Sequence, residues 1–250
     1  MVNRIGQENI NNQGCMMTII AYRNNKDIDV QFNDEFNTVV TNKDYAAFRK
    51  GAIKNPNYAS VHGVGYVGQG NYSKTTDEDV YNTWANMLMR CYDMKYQLRQ
   101  PTYIGCEVYS EWHCFQNFAE WYYDNYYEIP EQTMALDKDA LCKGNRIYSP
   151  DTCVFVPQCI NNLFVKRDRN RGNLPLGVSF HKQRSKYRAR CHDGSGHETY
   201  LGYYNTPEEA FEVYKQYKEQ LIKDVADEYR SLIPEVLYNA MINYEVEIND

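Results

Sequence analysis

No stretch of the 250-residue chain approaches the ~18 consecutive apolar residues that a membrane-spanning helix needs. Its opening, MVNRIGQENINNQ, also lacks the apolar core of an export signal. A soluble, cytoplasmic protein with no membrane partner is the expectation. None of its eight cysteines (Cys15, Cys91, Cys106, Cys114, Cys142, Cys153, Cys159, Cys191) belongs to a CxxC pair. Without export, disulfides are disfavoured by the reducing cytosol. Cys106, Cys114, Cys142 and Cys153, taken with His113, match no common zinc-finger spacing, so buried thiols are expected. Repeats and low-complexity tracts are missing, which argues against a solenoid or a disordered tail. Tryptophan is scarce, at three, whereas tyrosine reaches 24. Tyrosine packs its ring and leaves a hydroxyl at the boundary, which suits thin cores and wet interfaces.

Acidic residues are what one segment lacks. Residues 166–190 hold nine Lys and Arg against Asp168 alone, a net +8, so the remainder carries −14 of a total of −6. Such a division suggests that one face meets a polyanion while the rest stays acidic. Double-stranded nucleic acid is the natural polyanion, because each neutralised phosphate releases a counterion. The competing readings are a solvated charged face and an RNA-binding surface. The acidic balance elsewhere and the Tyr-rich composition leave a host protein as an alternative partner. No small-molecule cofactor is expected.

The pattern reads as an α+β chain of several modules. Residues 1–57 alternate apolar and polar positions, as in Ile28, Val30 and Phe32 against Asp27, Asp29 and Gln31. This predicts a strand-rich, SH3-like barrel. A Gly- and Tyr-rich connector follows over 58–78. Within 79–165, Val80, Trp84, Met87, Leu88, Cys91 and Tyr92 recur at helical spacing after Asp77-Glu78-Asp79. A second helix is predicted from Glu111 with Ser110 as N-cap. Then come a strand to about Leu136, a turn at Gly144-Asn145, a strand through Val156, and a helix with Pro157 at its first position. Over 172–230 the pattern predicts three strands and a long helix opened by a Thr206/Glu209 capping box. Pro234 ends that helix, and 231–250 form a short helix and tail.

Two segments resemble known families. Tyr81 to about Phe164, with WANMLMRCYD, CEVYSEW and LDKDALCKGNRIYSPDTCVFVPQCINNLF, resembles the phage HNH homing-endonuclease group. Leu176 to about Lys218, with GVSFHKQRSKYRAR and TYLGYYNTPEEAFEVY, resembles the DNA-binding domain of plant ethylene-response factors, which also occurs fused to HNH nucleases in phages. The second resemblance implies a three-stranded sheet lying in the DNA groove. Lys182, Arg184, Lys186, Arg188 and Arg190 recur every second residue and would share one face, with a turn near Arg184-Ser185 splitting that face between two strands. Lys166, Arg167, Arg169 and Arg171 extend the basic set. Arg can take guanine in a bidentate way, while Lys mostly meets phosphate.

The first resemblance implies a divalent cation, Mg²⁺ or Mn²⁺, held on the scissile phosphate by Asp137 and Asn161, with Asn162 the neighbouring option. Where that family carries its general-base His, this chain carries Lys138. A protonated ammonium cannot accept a proton from water. Three readings of Asp137-Lys138-Asp139 stand: an altered cation site on the two carboxylates, an inactive nuclease fold in which Lys138 touches phosphate, or a salt-bridged hairpin. A homing-endonuclease-like DNA-binding protein is therefore expected, with metal-dependent hydrolysis of DNA left open and a catalytically silent protein that binds DNA or a host protein as the alternative.

Overall fold

Alternation sets the first sheet. The computed structural model describes residues 4–165, 174–194 and 196–248. It shows an α+β chain that divides into two compact units, 1–124 and 125–250. In the first, β1 (Glu8–Ile10), β2 (Met16–Asn24), β3 (Asp27–Phe32) and β4 (Val39–Lys43) pair antiparallel in sequence order. Met17, Ile19, Ile28, Val30 and Phe32 point to one face and are fully buried against Tyr45 and Phe48 of helix α1 (Tyr45–Arg49). Among the described residues no β1–β4 pairing closes the sheet, because the chain leaves β4 directly into α1, whose N-cap Asp44 accepts from the Ala46 N–H at 2.6 Å.

Helix α2 (Glu78–Tyr92) buries Val80, Trp84, Met87, Leu88 and Cys91, the predicted stripe. It is followed by α3 (Met94–Arg99), the short β5 (Glu107–Val108) and α4 (Phe115–Asn125). The helix expected from Glu111 is a 3₁₀ turn over Ser110–His113, and α4 begins only at Phe115. The cause is competition for the backbone. Trp112 gives its carbonyl to the indole N–H of Trp84 at 2.7 Å, and His113 gives its own to the N–H of Tyr66 at 2.9 Å. Neither carbonyl continues a helical ladder, so Ser110 caps no α-helix.

The second unit opens with β6 (Met134–Asp137), β7 (Ile147–Tyr148) and β8 (Val154–Pro157), then α5 (Gln158–Leu163). β6 and β8 pair antiparallel, Leu136 opposite Phe155. Three further strands, β9 (Val178–His181), β10 (Lys186–His192) and β11 (Glu198–Tyr204), form a sheet with β10 in the centre. The long α6 (Pro207–Tyr229) and α7 (Glu235–Ile242) complete the unit.

Helix α6 serves two cores with one apolar stripe. Ala210, Phe211 and Tyr214, near its start, pack against Val178, Ala189 and Cys191 of the three-stranded sheet. Ile222 and Ala226, three turns on, pack with Val154, Val156, Ile160 and Leu163 of the strand–strand–helix region and with Leu237 and Met241 of α7. The capping box is formed: Thr206 Oγ1 accepts from the Glu209 N–H at 3.2 Å, and Glu209 Oε2 accepts from the Thr206 N–H at 3.3 Å. Replacing Thr206 with Ala should lower the unfolding free energy by about 1 kcal/mol. Chemical denaturation reads this directly, and an unchanged midpoint would show that Pro207 alone starts the helix. Among the described residues no helix is long and apolar enough to cross a membrane.

Candidate nucleic-acid interface

β10 has the sequence KYRARCH, and its period of two decides what each residue meets. Ala189 and Cys191 are buried under α6, while Lys186 and His192 are exposed and Arg188 and Arg190 half-exposed. Register extends the same face sideways. Lys186 lies opposite His181 and Arg188 opposite Ser179 on β9. Arg188 lies opposite Tyr203, Arg190 opposite Tyr200 and His192 opposite Glu198 on β11. The face away from α6 is therefore a cationic ridge flanked by tyrosine rings. Tyr200 and Tyr203 sit 5.4 Å apart at 61°.

Lys182 and Arg184 do not lie on a strand. They form a 3₁₀ turn between β9 and β10, closed by Ser185 in the left-handed region (φ 51°). This is the turn expected near Arg184-Ser185, and it returns Arg184 to the ridge with its guanidinium over the Tyr203 ring, 4.6 Å from the centroid. Among the described residues no carboxylate pairs with Lys182, Arg184, Lys186 or Arg188. Arg188 approaches Ser179 Oγ at 3.4 Å. Arg190 differs: its Nη1 meets Glu198 Oε2 at 2.5 Å, and the other oxygen of Glu198 lies 3.2 Å from His192 Nε2. This fork was not foreseen, since it depends on a bulge between Ala189 and Arg190 that shifts the β10–β11 register. Lys166, Arg167, Arg169 and Arg171 lie outside the described residues.

The Asp137-Lys138-Asp139 turn is bonded to itself. Asp137 Oδ1 accepts from the N–H groups of Asp139 at 2.6 Å and Ala140 at 2.7 Å. Lys138 points inward with its side chain 9% exposed. Its ammonium donates to Asp139 Oδ1 at 2.6 Å and to the Asn145 carbonyl at 2.7 Å. Asn145 returns a bond to the Lys138 carbonyl at 2.8 Å. On α5, Asn162 donates to the Gly194 carbonyl at 3.2 Å and accepts from Gln158 at 2.9 Å, so it ties the helix to the β10–β11 turn. Asn161 is half-buried on the same helix.

A divalent cation fits this turn poorly. One oxygen of Asp137 is spent on two backbone donors, and one oxygen of Asp139 already faces an ammonium that would repel a second cation. Among the described residues no three His, Cys, Asp or Glu side chains gather as a ligand set, and the cysteines are unpaired thiols. Burial pushes the Asp137 carboxyl above the ordinary carboxylate range, against the pull of its two N–H bonds. The same burial raises the Cys153 thiol to about 12.

A carboxyl with a raised folded pKa binds its proton more tightly in the native state, so stability falls as pH rises from the ordinary carboxylate value of about 4. Asp137→Asn keeps the oxygen acceptor and removes the charge. It should stabilise the protein at pH 7 and change little below pH 4. Paired denaturation curves at the two pH values test this, and destabilisation at pH 7 would instead assign the ionised carboxylate a needed partner.

Comparison with protein-family models, with curated proteins and with solved structures returns no match for this chain.

Proposed function

We propose that the protein binds double-stranded DNA by seating the open face of β9–β11 in the major groove, as its resemblance to the ethylene-response-factor domain implies. The observation that carries this reading is the ridge itself: Arg184, Lys186 and Arg188 stand together on the face away from α6, beside Tyr200 and Tyr203, with no carboxylate paired to any of the three among the described residues. A surface of this kind gains counterion entropy on a phosphate backbone. A twisted sheet matches the width of the major groove of B-form DNA, whereas the deep, narrow groove of duplex RNA excludes it. In this reading Arg188, at the middle of the central strand, reads a base edge, and Lys186 and Lys182 meet phosphate.

The test is anisotropy of a labelled duplex across a salt series. Three or four phosphate contacts should give a slope of log K against log salt of about −3 to −4, with RNA of the same sequence binding more weakly. Salt-independent binding, or a preference for duplex RNA, would overturn the assignment. The reading places the protein with phage or mobile-element DNA-binding proteins, acting in the cytoplasm or nucleoid of a host cell.

Hydrolysis would have to run on Asp137 and Asn161 with Mg²⁺ or Mn²⁺, as the HNH resemblance implies. The turn fits a cation poorly, with one oxygen each of Asp137 and Asp139 already bonded. The expected result is that supercoiled plasmid stays intact with either metal. Nicking that disappears in Asp137→Ala would restore the enzyme reading.

A further inference from the structure

A cavity of about 210 Å³ lies at the end of the three-stranded sheet, against α6, and Lys218 lines it. Lys218 is only 6% exposed, deep for a lysine. Its amine makes one hydrogen bond among the described residues, to the His192 carbonyl at 3.2 Å, and no carboxylate there lies within ion-pair distance. Among the described lining residues the only carboxylate is Glu198, and both of its oxygens already face Arg190 and His192. The wall thus presents an ammonium with no ion-pair partner among the described residues. The rest of the lining mixes polar Asn162 and Ser179 with an apolar side, where the Phe164 and Tyr244 rings lie 4.9 Å apart beside Val178 and Tyr214.

A buried amine without a counterion is costly unless something supplies one. Burial depresses the basicity of Lys218, and the pull of Cys191 and Asp193 offsets that desolvation only in part. The volume lies below the usual range of drug-sized ligand sites, about 300–1,000 Å³, which limits the occupant to a compact molecule. We propose that this cavity binds a small organic anion, one phosphate or carboxylate on a compact, flat apolar body, with Lys218 as its anion partner and the Phe164–Tyr244 wall as its apolar partner. The cavity shares Arg190, His192 and Glu198 with the ridge face, but Lys218 does not lie on that face, so Lys218→Met separates this proposal from DNA binding.

The experiment titrates the full chain, without DNA, by calorimetry. The probes are phenyl phosphate, 5′-dTMP and benzoate, with inorganic phosphate and uncharged thymidine as controls. Phenyl phosphate or benzoate should bind, inorganic phosphate more weakly, and thymidine not at all. Binding of 5′-dTMP in addition would assign the cavity to a nucleotide, and its failure alone would set an upper limit on ligand size. Lys218→Met should weaken the best probe by about tenfold or more. This variant removes a disfavoured buried charge and should fold. A second variant, Glu198→Gln, frees Arg190 and His192 and should tighten the same probe several-fold. The proposal is overturned if no anionic probe binds up to about 10 mM, if thymidine binds as well as the anions, or if both variants bind like the native chain.

Discussion

A chain carrying Lys186→Ala and Arg188→Ala together should bind duplex DNA some tens-fold more weakly at physiological salt, with a salt slope shallower by about one to two. The two substitutions act through different physics. Lys186 is exposed at the start of β10 and contributes mainly a phosphate charge. Alone it should change the slope and weaken all sequences alike. Arg188 lies mid-strand between Ser179 and Tyr203, where cross-strand neighbours limit its rotamers. A positioned guanidinium on a base edge discriminates by about 1–3 kcal/mol. Arg188→Ala should therefore flatten sequence preference as well as lower affinity. Arg190 supplies the internal contrast. Its guanidinium is already neutralised by Glu198, so Arg190→Ala should cost much less than Arg188→Ala although both are arginines on one strand. Glu198→Gln should act in the opposite direction and tighten DNA binding, because it returns one positive charge to the ridge. Equal losses at Arg188 and Arg190, or tight binding by the double variant, would remove the sheet from the DNA interface.

That contrast marks where the sequence stopped being legible. Alternation placed the basic residues on one face, and the Arg184-Ser185 turn was readable from its polar composition. The pairing of Arg190 with Glu198 was not, because it depends on a one-residue slip at the Ala189–Arg190 bulge, and a slip of one residue changes which side chains oppose each other. The capping box of α6 is a local signal and was read from four residues. The start of α4 is not local. It moved from Glu111 to Phe115 because Trp84 and Tyr66, distant in sequence, compete for the carbonyls of Trp112 and His113. Lys138 shows the same limit. Between two aspartates it leaves three readings open, beside a cation site, on a phosphate or in a hairpin salt bridge, and the Asn145 carbonyl seven residues on draws it inward. Local chemistry was visible in advance. Partners brought in by tertiary structure were not.

The largest loss of stability from a single methyl group should come at Gly177. This residue, just before β9, has φ +75°, a region that costs a residue with a Cβ about 1–2 kcal/mol. A Cβ there would also come within 2.1 Å of Tyr214 Cδ2 and 2.5 Å of its Cγ. Neither side can give way easily. Tyr214 is buried in the core between α6 and the sheet, and Gly177 is held by its carbonyl, which accepts from the Arg190 N–H at 2.9 Å. Overpacking of this kind adds about 1–3 kcal/mol. Gly177→Ala should therefore lower stability by about 2–5 kcal/mol, equivalent to a fall of roughly 5 °C or more in Tm for a unit of this size. Gly144 separates the two contributions. It has a similar φ of +77° but nothing within 4 Å of the added carbon, so Gly144→Ala should show only the backbone cost, about 1–2 kcal/mol. Trimming the ring as Gly177→Ala/Tyr214→Ala should then recover less than the full loss, because the collision goes while the strain stays and a new cavity opens. Thermal unfolding followed by circular dichroism ranks the three variants. A Gly177→Ala protein no less stable than Gly144→Ala would mean that β9 does not approach α6 this closely, and the support beneath the cationic ridge would have to be drawn differently.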